Sequence, residues 1–315
     1  MTHPTVKLSI NNIILNTTQM KPLSLLNLCS LSLGFILCFP SVSLANPPRD
    51  LSELLMVTAT TQTEILQQLE QADVIYLGET HNEVLDHQAQ LKIIQELYHK
   101  NSKIAIGFEM FQCPYQTILD QYIAGNITEE QLIEQSEYNQ RWGFPWEYYA
   151  DILRFSQQYQ LPILALNTPS EITRKVAREG LKSLTAEEQQ YIPPLEEIKT
   201  DNANYRQMLQ EIYQQHHHDG FGNSQAFENF FLAQVLWDET MAEKVAEFIA
   251  ENPDYQVIVL VGEGHIVYDY GIPSRVERRL NSTGLTQYSV LFQSPDEDPI
   301  PLTENIADLI WKHEE

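Results

Sequence analysis

Two short motifs of the form Gly-Glu-X-His contain residues that could do chemistry. One is Gly-Glu-Thr-His at residues 78–81, and the other is Gly-Glu-Gly-His at residues 262–265. Imidazole and carboxylate side chains transfer protons near neutral pH, and they also bind transition metals. Each motif follows a run of apolar residues, and Glu109 and Asn167 lie at the ends of two further runs. We therefore expect four separate segments of the chain to contribute to one site.

The elements that must position these residues are short, apolar and rich in β-branched side chains, as buried parallel strands are. We predict strands at residues 73–79, 103–110, 161–169, 255–265 and 288–292. Helical patterns separate the strands, which predicts an α/β fold with a mainly parallel sheet and helices on both faces. Ligands of such sheets bind at the carboxyl ends of the strands. Glu79, His81, Glu109, Glu263 and His265 should therefore face one cleft there.

The chemistry of this cleft has two interpretations. His81, Glu109 and His265 together suit a divalent transition metal that keeps open coordination positions. The same residues could act without a metal, with a glutamate as general base and a histidine as acid or electrophile. In an enzyme the catalytic set would be Glu79, His81, Glu109 and His265, with Glu79 or Glu263 as a supporting or basic group. Whether the protein is an enzyme stays open at this point.

The chain is organised as one domain after an N-terminal export segment. Residues 1–45 contain an apolar stretch at 23–45 that ends in small residues, as a signal peptide does, and translation could begin at Met20. A retained membrane anchor is the alternative; lipid attachment at Cys29 or Cys38 lacks a convincing lipobox. We predict an exported protein, periplasmic or membrane-associated on the outer side of the inner membrane.

The predicted α/β domain spans residues 46–315 and has two helical insertions. They lie near residues 114–160 and 169–250, and the first is rich in aromatic side chains, including Trp142, Phe144 and Trp146. From Pro295 onward the sequence is acidic and contains proline, which predicts a loosely held terminus.

The net charge argues against one class of partner, and the cysteine content shows how the domain must be stabilised. The net charge of −24 disfavours a nucleic-acid partner, because a phosphate binder needs clustered lysine and arginine. Past the export segment only Cys113 remains, so the domain has no internal disulfide and must be stable through its core. We expect Cys113 to be a buried, inert thiol.

The order of the motifs resembles that of ChaN-type haem-binding proteins, within a larger group that includes erythromycin esterases and the Tiki proteases. The blocks that carry the resemblance are Gly78-Glu79-X-His81 with His87 and Gln90, Phe108-Glu109-Met110, Trp142-Gly143 with Trp146 and Tyr148, Leu161-Pro162 with Ala165 and Asn167, 233–242, and 262–273. The sequence departs from the family where Asn82 follows His81, since aspartate is frequent at that position.

This resemblance implies haem binding in a dimer, with tyrosine ligation, and a role in haem or iron acquisition. Tyr268 and Tyr270, just past His265, could ligate ferric iron, and His265 and His81 are the further candidate residues for binding the cofactor. Trp142, Phe144 and Trp146 could cover the porphyrin. The wider group implies instead hydrolysis of an ester or peptide by His81, Glu109 and His265. A non-catalytic scaffold is a third hypothesis. The first two hypotheses predict haem or another small molecule as the ligand, with a divalent transition metal as the alternative cofactor.

Three further features have supporting roles in this interpretation. His87 lies six residues after His81, a spacing that points it elsewhere on a helix, so we expect it to support the site rather than bind a ligand with His81. Asp238 could orient a site histidine. The histidine tract at residues 216–218 is predicted to lie in an exposed loop, from which a partner chain could contribute a ligand.

Overall fold

The computed structural model describes residues 61–216, 224–281, 284–295 and 305–314. The predicted export segment lies outside these ranges. His217 and His218 of the histidine tract also lie outside them, and the side chain of His216 is not described.

A six-stranded sheet forms the centre of the fold. Its strands are β1 Val74–Glu79, β2 Ile104–Gln112, β3 Ile163–Asn167, β4 Gln256–Gly262, β5 Gln287–Gln293 and β6 Leu309–Lys312. The strand order is β3-β2-β4-β1-β5-β6, and every neighbouring pair is parallel. This confirms the predicted α/β fold. Because β4 lies between β2 and β1, the carboxyl ends of these three strands are side by side.

Helices cover the sheet and form the two insertions. They are α1 Gln62–Leu69, α2 Val84–Lys100, α3 Gln116–Ile123, α4 Glu129–Gln135, α5 Tyr138–Arg141, α6 Glu147–Tyr159, α7 Ser170–Glu179, α8 Ala203–His216, α9 Ser224–Glu251 and α10 Ile272–Leu280. Helices α1 and α4 begin at capping boxes in which Thr61 pairs with Glu64 and Thr128 with Gln131. None of the helices in the described ranges combines the length and apolar character that a bilayer-spanning segment needs.

The sheet is buried on both faces because alternate side chains of each strand point to opposite sides. Ile75 and Leu77 of β1 join the apolar cluster that includes α2 and α6. Val74 and Tyr76 join a second cluster, which includes α9 and α10. This arrangement explains why the strands read as continuous apolar runs, and it confirms that helices cover both faces.

The prediction of a loosely held terminus is wrong for residues 305–314. Strand β6 extends the sheet beside β5, and Trp311 is only 1% exposed. The imidazole of His313 lies 2.7 Å from Asp86 Oδ1, and the amide of Thr80 donates to Asp86 Oδ2 at 2.8 Å. The sequence of this short strand has no clear strand pattern, because the strand is stabilised by pairing with β5 and by contacts with residues distant in the sequence.

Candidate functional site

Three strand ends bring the predicted site residues together. Glu79 ends β1 and His81 follows it, Glu109 lies in β2, and His265 lies in the turn after β4. His81 Nε2 is 4.0 Å from Glu109 Oε2, and His265 Nε2 is 3.6 Å from Glu109 Oε1. One carboxylate therefore lies between the two imidazoles.

The Glu109 side chain is fixed by backbone and by close packing. It is 6% exposed, and the amide of Gly262 donates to its Oε2 at 2.8 Å. A Cβ atom on Gly262 would lie 2.9 Å from His81 Nε2. Only glycine leaves room at this position for the imidazole and the carboxylate together.

The first imidazole is oriented by a buried carboxylate. His81 Nδ1 lies 2.7 Å from Glu79 Oε1, so the ring donates through Nδ1 and turns Nε2 toward Glu109. The hydroxyl of Tyr149 on α6 donates to the same Glu79 oxygen at 2.5 Å, and Gln90 of α2 donates to the other oxygen at 2.8 Å. These contacts form a series of hydrogen bonds from Tyr149 through the Glu79 carboxylate to His81.

The second imidazole is oriented in the same way from a different element. His265 Nδ1 lies 2.7 Å from Asp238 Oδ1 on α9, as suggested for Asp238 from the sequence. The hydroxyl of Tyr205 donates to Asp238 Oδ2 at 2.6 Å. Glu263, by contrast, is exposed. Of the five side chains predicted to face one cleft, His81 and Glu109 line it, whereas Glu79, Glu263 and His265 do not, so for these three the prediction is wrong. The two Gly-Glu-X-His motifs thus differ in the source of the carboxylate that orients the histidine, which is the motif's own Glu79 for His81 and Asp238 of α9 for His265.

The electrostatics of the site favour charged side chains despite their burial. Burial alone would raise the pKa of Glu79, but the neighbouring His87 and His81 and the Tyr149 hydroxyl lower it overall. Burial opposes protonation of His81, yet the hydrogen bond that its ring donates to Glu79 and the charge of Glu109 raise its pKa. The pKa of His265 is also raised, against burial, by Glu109 and Asp238.

Both tyrosines of the site are held as neutral donors. Burial, reinforced by the charge of Glu79, raises the pKa of Tyr149 well above its ordinary value. Burial and the charge of Asp238 do the same for the pKa of Tyr205. Sequence reasoning missed both residues, because a tyrosine on the buried face of a helix looks like ordinary core packing.

A cleft with an empty volume of about 480 Å³, including the part open to solvent, adjoins the His81 and Glu109 side chains. Its lining comprises His81, Glu109, Met110, Gln112, Arg141, Trp142, Gly143, Asn167, Thr168, Ser170 and Trp237. The ring of His81 lies 5.0 Å from those of Trp142 and Phe144, centroid to centroid. Trp146 instead packs into the core against Tyr138, so its predicted role as a wall of the ligand site is not supported.

The predicted tyrosine ligands lie on the turn that follows His265. Tyr268 and Tyr270 are half-buried, and their rings stack with centroids 5.3 Å apart. Tyr268 and Asp269 adopt left-handed backbone conformations, with φ of 56° and 57°. Neither tyrosine lines the cleft, so the tyrosine pair and the cleft are two separate surfaces near His265.

The remaining predicted residues take supporting places. His87 Nε2 donates to the carbonyl of His81 at 3.1 Å, and its ring stacks on Tyr148. Burial raises the pKa of the Cys113 thiol to about 11, as expected for an unreactive cysteine.

In the described part of the chain, no group of three or more histidine, cysteine, aspartate or glutamate side chains is arranged to hold a metal ion. The transition-metal interpretation therefore has no geometric support.

The fold and the site define a class: an α/β protein with two carboxylate-oriented histidines around one glutamate, at the carboxyl ends of a parallel sheet. The family model described as "Haem-binding uptake, Tiki superfamily, ChaN" matches residues 65–276. The chain belongs to this family, as its motifs had indicated. The matched range contains both motifs and β1 to β4.

One solved structure shows the same fold. ChaN of Campylobacter jejuni, solved with cofacially bound haem, is 20% identical, with 75% of this chain and 88% of that chain covered and a TM-score of 0.60. A mutant of the erythromycin esterase EreC in its open conformation is 14% identical, with 78% of this chain and 74% of that chain covered and a TM-score of 0.43.

A longer curated relative is the chloroplastic protein RETICULATA-RELATED 5 of Arabidopsis thaliana. It is 23% identical over 246 residues, which is 71% of this chain and 32% of that protein. The match thus spans about a third of the length of this relative.

Proposed function

We propose that this protein binds haem as an exported component of haem or iron acquisition. Its membership of the haem-binding ChaN family over residues 65–276 carries this proposal. The fold shared with the Campylobacter jejuni protein, which binds haem cofacially, supports it. The acidic surface, with a net charge of −24, is compatible with a small ligand rather than nucleic acid.

Among the side chains that could ligate haem iron, the tyrosine pair Tyr268 and Tyr270 is favoured over the two site histidines. His81 and His265 are each 4% exposed, with Nδ1 committed to a carboxylate and Nε2 beside Glu109. Tyr268 and Tyr270 are partly accessible, and a phenolate is a known ligand of ferric haem iron. A haem held there would supply a ferric centre at the protein surface. A second copy of the chain could cover its other side, which is the basis for proposing a homodimer.

Absorbance titration with haemin tests this proposal. We expect a saturable change in the Soret band at micromolar haem, weakened by Tyr268→Phe or Tyr270→Phe. Tyr191→Phe is the matched control, since Tyr191 is 45% exposed and belongs to neither surface. A wild-type protein that shows no saturation would overturn the proposal. Sedimentation of the haem-loaded protein tests the dimer.

Hydrolysis of an ester or peptide is the second candidate, favoured by the arrangement of His81 and His265 around Glu109. Two oriented imidazoles with raised pKa values and one carboxylate could donate and accept protons at one bound group. The test is a panel of chromogenic esters and short peptides. Activity that persists in the double variant His81→Gln, His265→Gln would contradict this function.

A further inference from the structure

Two consecutive residues on the cleft wall carry polar atoms that are buried without a hydrogen-bond partner. Within the described residues, Asn167 Oδ1 and Thr168 Oγ1 have no partner, although Asn167 is only 8% exposed and Thr168 only 1%. Both residues line the cleft. Folded proteins satisfy nearly all buried polar groups, because an unpaired one lowers stability. An unsatisfied pair at the edge of a cleft therefore points to a ligand.

The orientation of the Asn167 amide determines what this ligand must offer. Its Nδ2 donates to the carbonyl oxygen of Glu109 at 2.9 Å, and a carbonyl can only accept. The Oδ1 atom therefore faces away from Glu109 as an acceptor, and it needs a donor. The hydroxyl of Thr168 can donate or accept. Together the two atoms match a group that has an N–H or O–H donor and an adjacent acceptor.

The charges around the cleft favour a neutral ligand. Arg141 is the arginine that lines the cleft, and its guanidinium is bridged to Glu137, to Glu171 and to the amide oxygen of Gln112. A carboxylate ligand would meet an already neutralised cation, and the Asn167 oxygen would repel it. Trp142 and Trp237 also line the cleft and offer apolar surface to the rest of the molecule. The indole Nε1 of Trp142 is likewise buried without a hydrogen-bond partner, so a neutral ligand that carries an acceptor as well as a donor satisfies the wall best.

We propose that Asn167 and Thr168 form a recognition subsite for a small neutral ligand with an N–H or O–H donor, such as a primary amide or an alcohol. The subsite adjoins the histidine–glutamate–histidine group through the bond from Asn167 to the Glu109 backbone. It is distinct from the haem proposal, because the tyrosine pair Tyr268 and Tyr270 does not line this cleft. The result of a haemin titration has no bearing on it.

The stability of the unliganded protein gives the first test. Thr168→Val removes the hydroxyl at nearly constant volume, and relief of an unsatisfied polar atom should raise the Tm by about 2–4 °C. Thr168→Ser retains the hydroxyl and should not raise the Tm. If Thr168→Val leaves the Tm unchanged or lowers it, the hydroxyl is already hydrogen-bonded, for instance to water, and the proposal is overturned.

Ligand binding gives the second test, with acetamide as the probe and N,N-dimethylacetamide as its counterpart without an N–H donor. In the wild type and in Thr168→Ser, acetamide should cause saturable shifts of the Trp142 and Trp237 indole N–H signals. Thr168→Val should weaken this binding at least tenfold, and dimethylacetamide should cause no saturable shift. No saturation with acetamide, or equal binding of both probes, would overturn the assignment.

Discussion

Tyr149 and Tyr205 make equivalent hydrogen bonds on the two sides of the site. Tyr149 donates to Glu79 at 2.5 Å, and Tyr205 donates to Asp238 at 2.6 Å. Each carboxylate in turn binds Nδ1 of one site histidine at 2.7 Å. The two tyrosines come from different helical regions, so two unrelated parts of the sequence produce the same local chemistry.

Removing the Tyr149 hydroxyl should affect one histidine and spare the other. In Tyr149→Phe the buried Glu79 carboxylate loses a donor, so its pKa should rise, and the free energy of unfolding should fall by about 1.5–3 kcal/mol. Urea denaturation measures the loss, and histidine NMR titration locates it at His81. Tyr205→Phe is the mirror control and should alter His265. Equal changes at both histidines in either variant would contradict two separate chains of hydrogen bonds.

Glu109 should act on both histidines at once. Its charge contributes to the raised pKa of His81 and of His265, so Glu109→Gln should lower both values. An NMR titration of the imidazole signals measures this. Glu263→Gln changes an exposed carboxylate in the second motif and should leave both histidines unchanged. Unaltered titration in Glu109→Gln would refute the central place of this carboxylate.

Gly262 should be intolerant of even one methyl group. The Cβ of Gly262→Ala would lie 2.9 Å from His81 Nε2 and 3.0 Å from its Cε1, so the ring must shift from the position in which its Nε2 faces Glu109. We expect a loss of about 1–3 kcal/mol in unfolding free energy, together with a lower His81 pKa. Gly264→Ala is the matched control two residues later, where a Cβ meets nothing within 4 Å. The prediction fails if the two variants melt alike.

Stability should be greatest in mildly acidic solution. Glu79 has a pKa below its ordinary value of 4.5, so its contribution is present above that pH and is lost as the pH falls through the folded-state pKa. His81 and His265 have pKa values above 6.5, so their contributions are complete below 6.5 and are lost as the pH rises through the folded-state values.

The midpoint of urea unfolding, measured from acid to alkaline pH, checks this profile. Its maximum should lie between about pH 4.5 and 6.5, because both kinds of contribution are present there. The double variant His81→Gln, His265→Gln should flatten the alkaline side of the profile. A wild-type midpoint that rises steadily above pH 7 would show that these imidazoles are not held in the protonated form.

The fold and the meeting of the strand ends could be predicted because they depend on local patterns. Apolar β-branched runs identified β1 to β5, and the rule that sites form at the carboxyl ends of parallel strands placed His81, Glu109 and His265 together. Strand β6 was missed because its four residues are stabilised by pairing with β5 rather than by any pattern of their own.

The partners of the site residues were harder to predict. The repeated motif suggested that Glu79 or Glu263 would be a supporting or basic group, but Glu263 is exposed in the short turn after β4. Asp238 was suggested only as a residue that could orient a site histidine, and the structure shows that this histidine is His265. Which side chain completes a hydrogen bond depends on tertiary packing, and a single sequence does not encode that in its spacing.

The bond between His313 and Asp86 has a consequence for biosynthesis. Asp86 holds the amide of Thr80, next to His81, yet its own partner comes 227 positions later in the chain. In a nascent chain on the ribosome, β1 can pair with neither β4 nor β5 until most of the sequence has emerged. The bond between Asp86 and His313, which supports the loop after β1, forms later still. Residues 78–81 should therefore stay protease-sensitive in arrested chains that stop short of β6 and become protected once it has been made.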